Sequence, residues 1–368
     1  MRLLQQDNIG SHYRAAIYQA MDQELACDFC FGDRVDDIKK LDYSLIKHTV
    51  IEVHNKTIYR GFYYQQGVQK LLRRSYDTYI FIGEPRCLST WLFSIRVRLF
   101  YPRKKVFFWT HGWYGKESLL EKLFKKLFLR LPKGGVFLYG NYAKELMIKE
   151  GFNPEKLYVI HNSLDYDTQL PIREQLKPQP IYHAHFGNDN KNIVFIGRLT
   201  KVKRFDLLID AVAQLKQKGE LFNVTFIGDG IERQNMEWLV EEKGIKNQVW
   251  FYGASYDEKA NAELIYNADV CVSPGNIGLT AMHVLMFGCP AITNDDFCHQ
   301  MPEFEAIQDG LTGSFFNAGD STSLANTISK WFFTHGENRE EVRKACYKEI
   351  DEQWTPHFQI NVLKKVLL

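Results

Sequence analysis

Two cations in the second half of the chain have the spacing of a phosphate site. Arg198 follows the apolar run NIVFIG at residues 192–197, and Lys203 directly precedes a segment with helical periodicity. The end of a strand beside the start of a helix offers free N–H groups and the positive end of a helix dipole. Arginine binds two phosphate oxygens at once, and lysine adds a compact charge. We therefore predict phosphate binding by Arg198 and Lys203, with a solvated pair on a loop as the alternative.

A glycine-rich turn follows at residues 273–279, SPGNIGL, between a predicted strand and a predicted helix. Glycine lets backbone N–H groups approach a diphosphate closely, although an ordinary strand-to-helix connection has the same composition. Gly228 and Gly230 also follow a strand, but Arg233 stands where a dinucleotide-binding motif has its third glycine. This departure argues against binding of a nicotinamide dinucleotide.

The elements that position these residues alternate between strands and helices. The apolar runs predict strands at 192–197, 222–230, 248–253, 269–275 and 290–295. Helical spacing predicts helices over 204–219, 231–244, 257–268 and 279–288. This alternation with short connections is typical of a parallel sheet covered by helices on both faces. Ligands of such sheets bind at the carboxyl ends of the strands.

The first half of the chain is similar but less regular. It has candidate strands at 78–83, 105–110, 135–140 and 156–162, and a candidate helix at 141–151. We predict an α/β fold of two Rossmann-like domains that face each other across a cleft, a common place for small-molecule sites. The first domain would span 1–165, with a C-terminal helix at about 350–368 packed back on it. Residues 166–190, which hold three prolines and no periodicity, would form a linker to a second domain over 191–349.

His111 ends an apolar strand in FFWTHGW and precedes a glycine. A histidine at a strand end in an α/β domain can face the ligand and contact a sugar, and a structural histidine is the alternative. The first half also contains the basic amphipathic segment SLLEKLFKKLFLRLPK at 118–133. This pattern is typical of a helix that lies on an anionic lipid surface, although a helix packed on a core has the same periodicity.

Charge favours the membrane contact. Residues 1–165 contain 26 basic and 17 acidic residues, a net charge of +9, whereas the remainder has a net charge of −7. We predict an anionic membrane rather than nucleic acid as the partner of the basic half. The first ten residues contain no apolar core of a signal peptide, and no run of 18 apolar residues occurs. We therefore expect a cytoplasmic protein that is peripheral on the cytosolic face of the membrane, with its seven cysteines as free thiols.

Several segments together resemble the retaining GT-B glycosyltransferases of family 4, whose C-terminal domain is described as glycosyltransferase group 1. The resemblance covers about residues 156–315, and its segments, in order, are KLYVIHNSLD, VFIGRLTKVKRFDLLIDA, FIGDGIER, VWFYGASYDE, NADVCVSPG, FGCPAITND and DGLTGSFF. It implies a hexosyltransferase that moves a sugar, with retention of configuration, from a nucleotide diphosphate sugar to a glycan or lipid-linked acceptor. The expected setting is cell-surface polysaccharide or glycolipid biosynthesis, without a metal or other cofactor.

The resemblance also implies roles for individual residues. Arg198 and Lys203 would stabilise the diphosphate leaving group, and His111 would lie by the transferred sugar. The implied donor contacts are Gly10, Gly197, Gly228, Tyr252, Gly253, Gly275, Asn276, Ile277, Gly278, Leu279 and His283. Of these, Tyr252 and Gly253 would meet the base.

The chain departs from the family at two positions where family members carry glutamates, one on the sugar and one on the ribose. Gly275 and His283 stand there instead, and a neutral histidine offers one acceptor nitrogen where a carboxylate offers two oxygens. Asn276 is a candidate to replace part of the lost sugar contact. Two alternatives follow: a non-catalytic subunit that binds a nucleotide sugar or a partner transferase, and a GT-B nucleotide-sugar epimerase.

Overall fold

The computed structural model describes residues 1–33 and 38–368, and the chain divides into two compact units. The first unit contains Met1–Tyr166 and Thr355–Leu368, and the second contains Asp167–Trp354. Each unit is built on one sheet with helices packed against it. Both therefore have the predicted α/β architecture.

The sheet of the first unit has eight strands in the order β4-β3-β2-β1-β5-β6-β7-β8. Neighbouring strands are parallel except for the hairpin of β3 and β4, which adds an antiparallel edge. Chain order reverses between β1 and β5, so the carboxyl ends of these strands form a topological switch point, where ligands of such sheets bind. The strands are β1 Leu3–Asp7, β2 Asp28–Gly32, β3 Val50–Tyr59, β4 Phe62–Gln66, β5 Thr78–Ile82, β6 Lys105–Thr110, β7 Gly135–Leu138 and β8 Leu157–Val159.

Two apolar clusters cover the faces of this sheet. One contains buried side chains of the last helix of the chain, Pro356–Leu367 (α13), although this helix is distant in sequence from the strands that it covers. The helices of the unit are α1 Ala15–Leu25, α2 Leu88–Phe100, α3 Leu119–Leu129, α4 Asn141–Lys149 and α13 Pro356–Leu367. Gln359 of α13 donates to the carbonyl oxygen of His161 at 2.8 Å and accepts from the hydroxyl of Ser163 at 2.7 Å.

The sheet of the second unit has six parallel strands in the order β11-β10-β9-β12-β13-β14. Numbered along the chain from β9, this is the order 3-2-1-4-5-6 of dinucleotide-binding domains. The switch point lies between β9 and β12. The strands are β9 Lys191–Ile196, β10 Phe222–Ile227, β11 Val249–Gly253, β12 Val270–Ser273, β13 Ala291–Asn294 and β14 Gly313–Phe316.

Eight helices accompany this sheet within the described chain: α5 Tyr166–Gln175, α6 Ile181–Phe186, α7 Phe205–Gln217, α8 Arg233–Glu242, α9 Glu258–Asn267, α10 Thr280–Met286, α11 Ser321–His335 and α12 Arg339–Gln353. Side chains at helical spacing explain their packing, since α7 buries the face predicted from periodicity, with Leu207, Leu208, Ala211, Val212 and Leu215. Asp257 caps α9 by accepting from the N–H groups of Lys259 and Ala260.

The prediction of a linker over 166–190 is wrong, because this segment contains α5 and α6 and lies almost wholly in the second unit. The hydroxyl of Tyr182 donates to the carbonyl oxygen of Leu264 at 2.8 Å, and His185 stacks on Trp250 with ring centroids 3.9 Å apart. A few isolated side chains anchor the segment. Because they do not repeat at a helical period, the sequence pattern does not show them.

Two boundaries also differ from the predicted ones. The second unit continues to Trp354 through α12, and the helix that belongs to the first unit begins at Pro356. Strands β1 to β4, at the start of the chain, were not predicted. The structure contains no helix among its described residues that is long and apolar enough to cross a membrane.

Candidate functional site

Both predicted cations lie at the switch point of the second sheet. Arg198 follows β9 and is exposed, and Lys203 ends a 3₁₀ turn over Lys201–Lys203. No ion pair of Arg198 occurs within the described part of the chain. Its charge is therefore available to a ligand.

Lys203 is fastened to the glycine-rich turn. Its Nζ donates to the carbonyl oxygens of Asn276 and Ile277, the latter at 3.3 Å. Burial lowers the pKa of Lys203 to about 8, and the charge of Arg198 acts in the same direction. A half-buried lysine close to a second cation forms a place where an anion is stabilising. The structure thus brings the two predicted phosphate contacts together with the turn.

Gly275 allows this contact between the lysine and the turn. A Cβ atom at this position would lie 1.9 Å from the carbonyl oxygen of Val202, and the N–H of Gly275 donates to the carbonyl oxygen of Lys203 at 2.9 Å. A side chain at position 275 would push the glycine-rich turn away from the 3₁₀ turn that carries Lys203. The glycine that replaces a family glutamate is therefore a packing requirement here.

Internal contacts hold Ile277, and its contact with a donor stays a prediction. Its N–H donates to Oε1 of Gln300 at 2.9 Å, and its side chain is buried. Asn276 donates from Nδ2 to the carbonyl oxygen of His299 at 2.9 Å, which holds its side chain against that loop. Sequence reasoning could not find these contacts, because Gln300 and His299 lie on a separate loop.

Gly278 and Leu279 come directly before α10. Gly278 has a left-handed backbone with φ of +54°, and its carbonyl oxygen accepts from Ala281 at 3.0 Å. The carbonyl oxygen of Leu279 accepts from His283 at 3.1 Å. The N–H groups of Gly278 and Leu279 thus precede the first hydrogen bonds of the helix, and such groups have no partner inside a helix.

Three other predicted glycines lie at the carboxyl ends of neighbouring strands. Gly197 follows β9, Gly228 follows β10, and Gly253 is the last residue of β11. The N–H of Gly197 donates to the carbonyl oxygen of Ile227 at 3.0 Å, and that of Gly228 donates to Gly253 at 2.8 Å. A Cβ atom at Gly228 would lie 1.9 Å from the carbonyl oxygen of Gly197. Close packing of the strand ends thus accounts for Gly197 and Gly228, and their contact with a donor stays a prediction.

Tyr252 lies on the edge strand β11 and is exposed. Its ring is 5.1 Å from that of Trp250 on the same strand. An exposed aromatic ring on an edge strand is available for stacking. The predicted contact of the nucleotide base with Tyr252 and Gly253 stays a prediction.

His283 has a carboxylate partner that the sequence reasoning missed. Nε2 of His283 lies 3.0 Å from Oε1 of Glu258, the first residue of α9, and Nε2 of Gln169 donates to the same oxygen at 2.7 Å. Burial opposes ionisation of Glu258, but the hydrogen bonds from His283 and Gln169 outweigh it and lower the pKa of this carboxyl. An ionised carboxylate therefore lies beside the position where the family has a glutamate.

His111 belongs to the first unit, directly after β6. Its ring packs against Tyr139, with centroids 4.8 Å apart, and its Nδ1 has no hydrogen-bond partner within the described residues. Burial lowers the pKa of His111 to about 4, and the nearby charges of Arg14 and Lys125 act in the same direction. The imidazole is thus neutral near pH 7 and can donate or accept a hydrogen bond.

A buried ion pair lies near this histidine and was not predicted. Nη1 of Arg14 is 2.6 Å from Oδ2 of Asp7, at the end of β1, and the hydroxyl of Tyr18 donates to the same oxygen at 3.0 Å. The guanidinium also lies 4.7 Å from the ring of Trp109. The sequence offers no clear signal for this pair, because Asp7 follows two other polar residues in β1.

Gly10 also lies in the first unit, in the loop after β1. It is buried, and a Cβ atom there would lie 2.8 Å from the ring of Phe31. Packing therefore accounts for the glycine. Its contact with a donor or an acceptor stays a prediction.

Helix α3, within the basic segment 118–133, packs on the core through its C-terminal end, where Phe128 and Leu129 are buried. The other leucines of the helix are exposed. Lys122 and Lys126 share Glu150 as a partner, at 3.0 and 3.5 Å. The helix thus combines a packed end with an exposed apolar surface, and its contact with a membrane stays a prediction.

One group of possible metal ligands occurs among the described residues. One ligand atom each of Asp296, Cys298 and His299 lies within 4.8 Å of the others. The three side chains hydrogen-bond to one another, and all come from one short loop. These internal contacts account for the cluster without an ion. All seven cysteines are free thiols, as predicted.

Comparison with known families decides the class of the second unit. Residues 183–349 match the family model described as glycosyl transferases group 1. The second unit is a glycosyltransferase group 1 domain. This domain contains Arg198, Lys203, the glycine-rich turn, Glu258 and His283, so the cations and the carboxylate lie inside the matched region.

Solved structures share the fold of the whole chain. HepE of Anabaena, solved in complex with UDP, is 15% identical with a TM-score of 0.72, covering 100% of this chain and 99% of that chain. The apo form of the lipopolysaccharide outer core galactosyltransferase WaaB is 16% identical with a TM-score of 0.74, over the same shares. These likenesses establish the fold, which is GT-B, and the expectation of two Rossmann-like domains is confirmed.

Sequence relatives match about half of the chain. A 41.2 kDa protein in the cps region of Klebsiella pneumoniae is 28% identical over 198 residues, which are 52% of this chain and 51% of that protein. The chain spans about half the length of the curated relatives that it matches.

Proposed function

We propose that the chain is a glycosyltransferase that binds a nucleoside diphosphate sugar in its group 1 domain and transfers the sugar to a glycan or lipid-linked acceptor. The setting would be the biosynthesis of cell-surface polysaccharide or glycolipid. The contact between Lys203 and the glycine-rich turn carries this proposal, because it holds a half-buried cation at the switch point of the sheet.

The reaction separates a sugar from a diphosphate and leaves negative charge on the leaving group. Arg198 and Lys203 would stabilise that charge, and the free N–H groups of Gly278 and Leu279 would add hydrogen bonds. Groups held in place before the reaction stabilise a developing charge without the cost of reorganisation. Because Lys203 is already fixed to the turn, it needs little movement to act in this way.

Glu258 would take over recognition of the ribose. Carboxylates accept hydrogen bonds from ribose hydroxyls in other nucleotide-binding domains of this topology. His283 and Gln169 both contact Oε1 of Glu258, and Oε2 has no partner within the described residues. An ionised, positioned carboxylate with a free oxygen suits a hydroxyl donor. HepE, which has the same fold, was solved with UDP, and UDP is accordingly the first donor nucleotide to test.

The first experiment is a thermal-shift screen against UDP, GDP, ADP and CMP and their common sugar conjugates. A ligand that binds only the folded state raises the melting temperature, so one nucleotide is expected to give a clear shift. Turnover of the matching sugar conjugate is then measured for the wild type, Arg198→Ala and Lys201→Ala. Arg198→Ala is expected to lower kcat/KM about a hundredfold, the scale found for loss of one electrostatic contact to a transition state.

Lys201→Ala is the matched control, because it removes an exposed cation from the same 3₁₀ turn. Equal activity of Arg198→Ala and the wild type would reject the assignment of the phosphate site.

Stereochemistry and metal dependence have separate tests. Retention of configuration is checked by NMR of the product anomer, and activity that survives EDTA is expected for a reaction without a metal.

A second candidate is a non-catalytic subunit that binds a nucleotide sugar. The observation in its favour is the replacement of both family glutamates by Gly275 and His283. A thermal shift with a nucleoside diphosphate, together with no turnover of any sugar conjugate in the presence of membranes, would support this candidate over the transferase.

The first unit would meet the acceptor side of the reaction at a membrane. Helix α3 exposes four leucines, Leu119, Leu120, Leu123 and Leu127. A surface helix with an exposed apolar face is typical of proteins that lie on a lipid surface. We propose that α3 contacts an anionic membrane that carries the acceptor, so that the enzyme acts on the cytosolic face of that membrane.

A further inference from the structure

Helix α2 exposes large apolar side chains on its outward face. Its inward face packs on the core through Phe93 and Val97, beside the small buried residues Ser89, Thr90 and Ser94. Four further large apolar residues are exposed: Leu92, Ile95, Leu99 and Phe100. A surface helix of a globular protein normally carries charged and polar residues on its outward face. The outward face of α2 is therefore suited to an apolar environment.

Helix α3 lies beside α2 and continues the same face. The ring of Trp91 in α2 is 5.1 Å from Phe124 and 5.0 Å from Phe128, and Nη1 of Arg98 donates to the carbonyl oxygen of Arg130 at 3.3 Å. The two helices thus present the exposed side chains of one continuous surface, which we call the α2–α3 surface. Its apolar residues are Leu92, Ile95, Leu99 and Phe100 of α2, and Leu119, Leu120, Leu123 and Leu127 of α3.

A basic pocket lies at the C-terminal end of α2. Its volume is about 370 Å³, and its lining consists of Gln69, Lys70, Leu72, Arg73, Arg96, Phe100 and Tyr101. Three of these residues are cations and none is acidic. None of the three cations forms an ion pair within the described residues. The pocket therefore holds uncompensated positive charge and is suited to an anion.

The sequence around the pocket strengthens this charge. Residues 86–105 contain six basic residues and no acidic residue. Such a run raises the local concentration of anions at the surface. By contrast, the lysines of α3 that suggested a membrane contact are paired with Glu150 or Glu117. Unlike these lysines, the three cations of the pocket have no acidic partner within the described residues.

We propose that the pocket formed by Lys70, Arg73 and Arg96 binds the phosphate of an anionic lipid headgroup while the α2–α3 surface lies in the bilayer interface. Phe100 links the two features, because it lines the pocket and is 70% exposed on α2. A phospholipid has the same arrangement, with a phosphate directly adjacent to apolar chains.

The two observations together favour a bilayer over other occupants. A free phosphate would use the pocket but would leave the apolar residues in water. An apolar protein partner would cover α2 and α3 without using the cations. The interface of an anionic bilayer satisfies both, since cations near its surface are attracted while apolar side chains enter the acyl boundary. This inference deepens the membrane contact proposed for α3 and is independent of transferase activity.

Sedimentation of the full chain with vesicles tests the inference. Vesicles of phosphatidylcholine alone are compared with vesicles that contain about 30% phosphatidylglycerol, a composition that gives a negative surface. The pocket variant carries Lys70→Gln, Arg73→Gln and Arg96→Gln. A control variant removes the same charge from exposed lysines of the second unit, with Lys216→Gln, Lys330→Gln and Lys344→Gln. A third variant carries Leu99→Asn and Leu120→Asn, two positions that are 66% and 81% exposed and hence tolerant of a polar side chain.

The wild type and the control variant are expected to bind the anionic vesicles more tightly than the neutral ones. The pocket variant is expected to bind the anionic vesicles about a hundredfold more weakly. Each cation near an anionic surface contributes about tenfold or less in affinity, and the variant removes three. The leucine variant is expected to bind both kinds of vesicle more weakly. Equal binding of the pocket variant and the wild type would overturn the pocket and leave the α3 contact standing. No binding of the wild type to either vesicle would overturn both.

Discussion

Nε2 of His283 lies 3.0 Å from Oε1 of Glu258, and this contact joins helices α10 and α9 of the group 1 domain. The pair is half-buried, and Gln169 holds the carboxylate from a third helix. A histidine at a position where the family has a glutamate therefore does not remove the carboxylate from this region. Glu258 supplies a carboxylate from the neighbouring helix, and its contacts with His283 and Gln169 orient it.

Loss of the Glu258 charge should weaken recognition of the ribose. Glu258→Gln keeps the shape of the side chain but removes the charged acceptor, and hydrogen bonds to charged groups contribute about 1.5–3 kcal/mol. We expect the Kd of UDP to rise at least about tenfold, with little change for 2′-deoxy-UDP. Titration calorimetry with both nucleotides checks this. Glu263→Gln, on the same helix, is the control, and an unchanged preference for UDP in Glu258→Gln would exclude the proposed contact.

Restoring the family glutamate at position 283 alone should lower the stability of the protein and weaken UDP binding. His283→Glu would place two carboxylates next to each other, and like charges at that distance destabilise one another. We expect a lower melting temperature and weaker UDP binding for this variant. The double variant His283→Glu, Glu258→Gln removes the repulsion and should regain both properties. If the single variant is as stable as the wild type, the two side chains are not in contact.

The pKa of Lys203 predicts a pH dependence of donor binding. In the free protein this pKa is about 8, so the lysine carries its charge below pH 8 and loses it above. The affinity for UDP should therefore be constant near pH 7 and fall by up to about tenfold per unit above pH 8. Calorimetric titration from pH 7 to 9.5 measures this. A flat profile would mean that the ammonium group does not bind the diphosphate, and Lys203→Arg should flatten the profile while it keeps the charge.

His111 should make the protein less stable in acid. Its pKa in the folded protein is about 4, against an ordinary value of 6.5. The unfolded chain therefore binds more protons between these values, and the contribution of His111 to the free energy of unfolding is complete above pH 6.5 and decreases as the pH falls toward 4. The expected decrease is about 1–2 kcal/mol at pH 5. Urea unfolding of the wild type and His111→Asn at pH 7, 6 and 5 tests this, and parallel pH profiles would contradict it.

Gly275 should not tolerate a side chain. An added Cβ atom would lie 1.9 Å from the carbonyl oxygen of Val202, so Gly275→Ala must move the turn away from the 3₁₀ turn of Lys203. We expect a loss of about 1–3 kcal/mol in the free energy of unfolding, typical of overpacking, and weaker UDP binding. Gly244→Ala is the comparison, because it meets no atom within 4 Å and adds only the cost of its left-handed backbone. If Gly275→Ala binds UDP as tightly as the wild type, the glycine-rich turn does not form part of the donor site.

Local patterns predicted the second domain well. Five apolar runs correspond to β9 to β13, and the helical spacing over 204–219 identified the buried face of α7. The order of these elements predicted that Arg198 and Lys203 lie where a strand ends beside the start of a helix. Such predictions succeed because each depends on residues close together in the chain.

The failures have a common cause. Residues 166–190 read as a linker because the contacts of Tyr182 with Leu264 and of His185 with Trp250 have no local period. The basic segment 118–133 indicated a helix with charged flanks, but not that Lys122 and Lys126 would pair with Glu150. In each case the deciding partner lies elsewhere in the sequence.

The sequence by itself thus determined the class of the domain, the two cations and the glycine-rich turn, because periodicity and motif spacing are properties of short segments. Only the tertiary structure decided which groups meet. It brought Glu258 to His283 across 25 positions and gathered the cations of residues 70, 73 and 96 around one pocket. Side-chain contacts of this kind depend on how helices pack on the sheet, and that packing is a property of the whole domain.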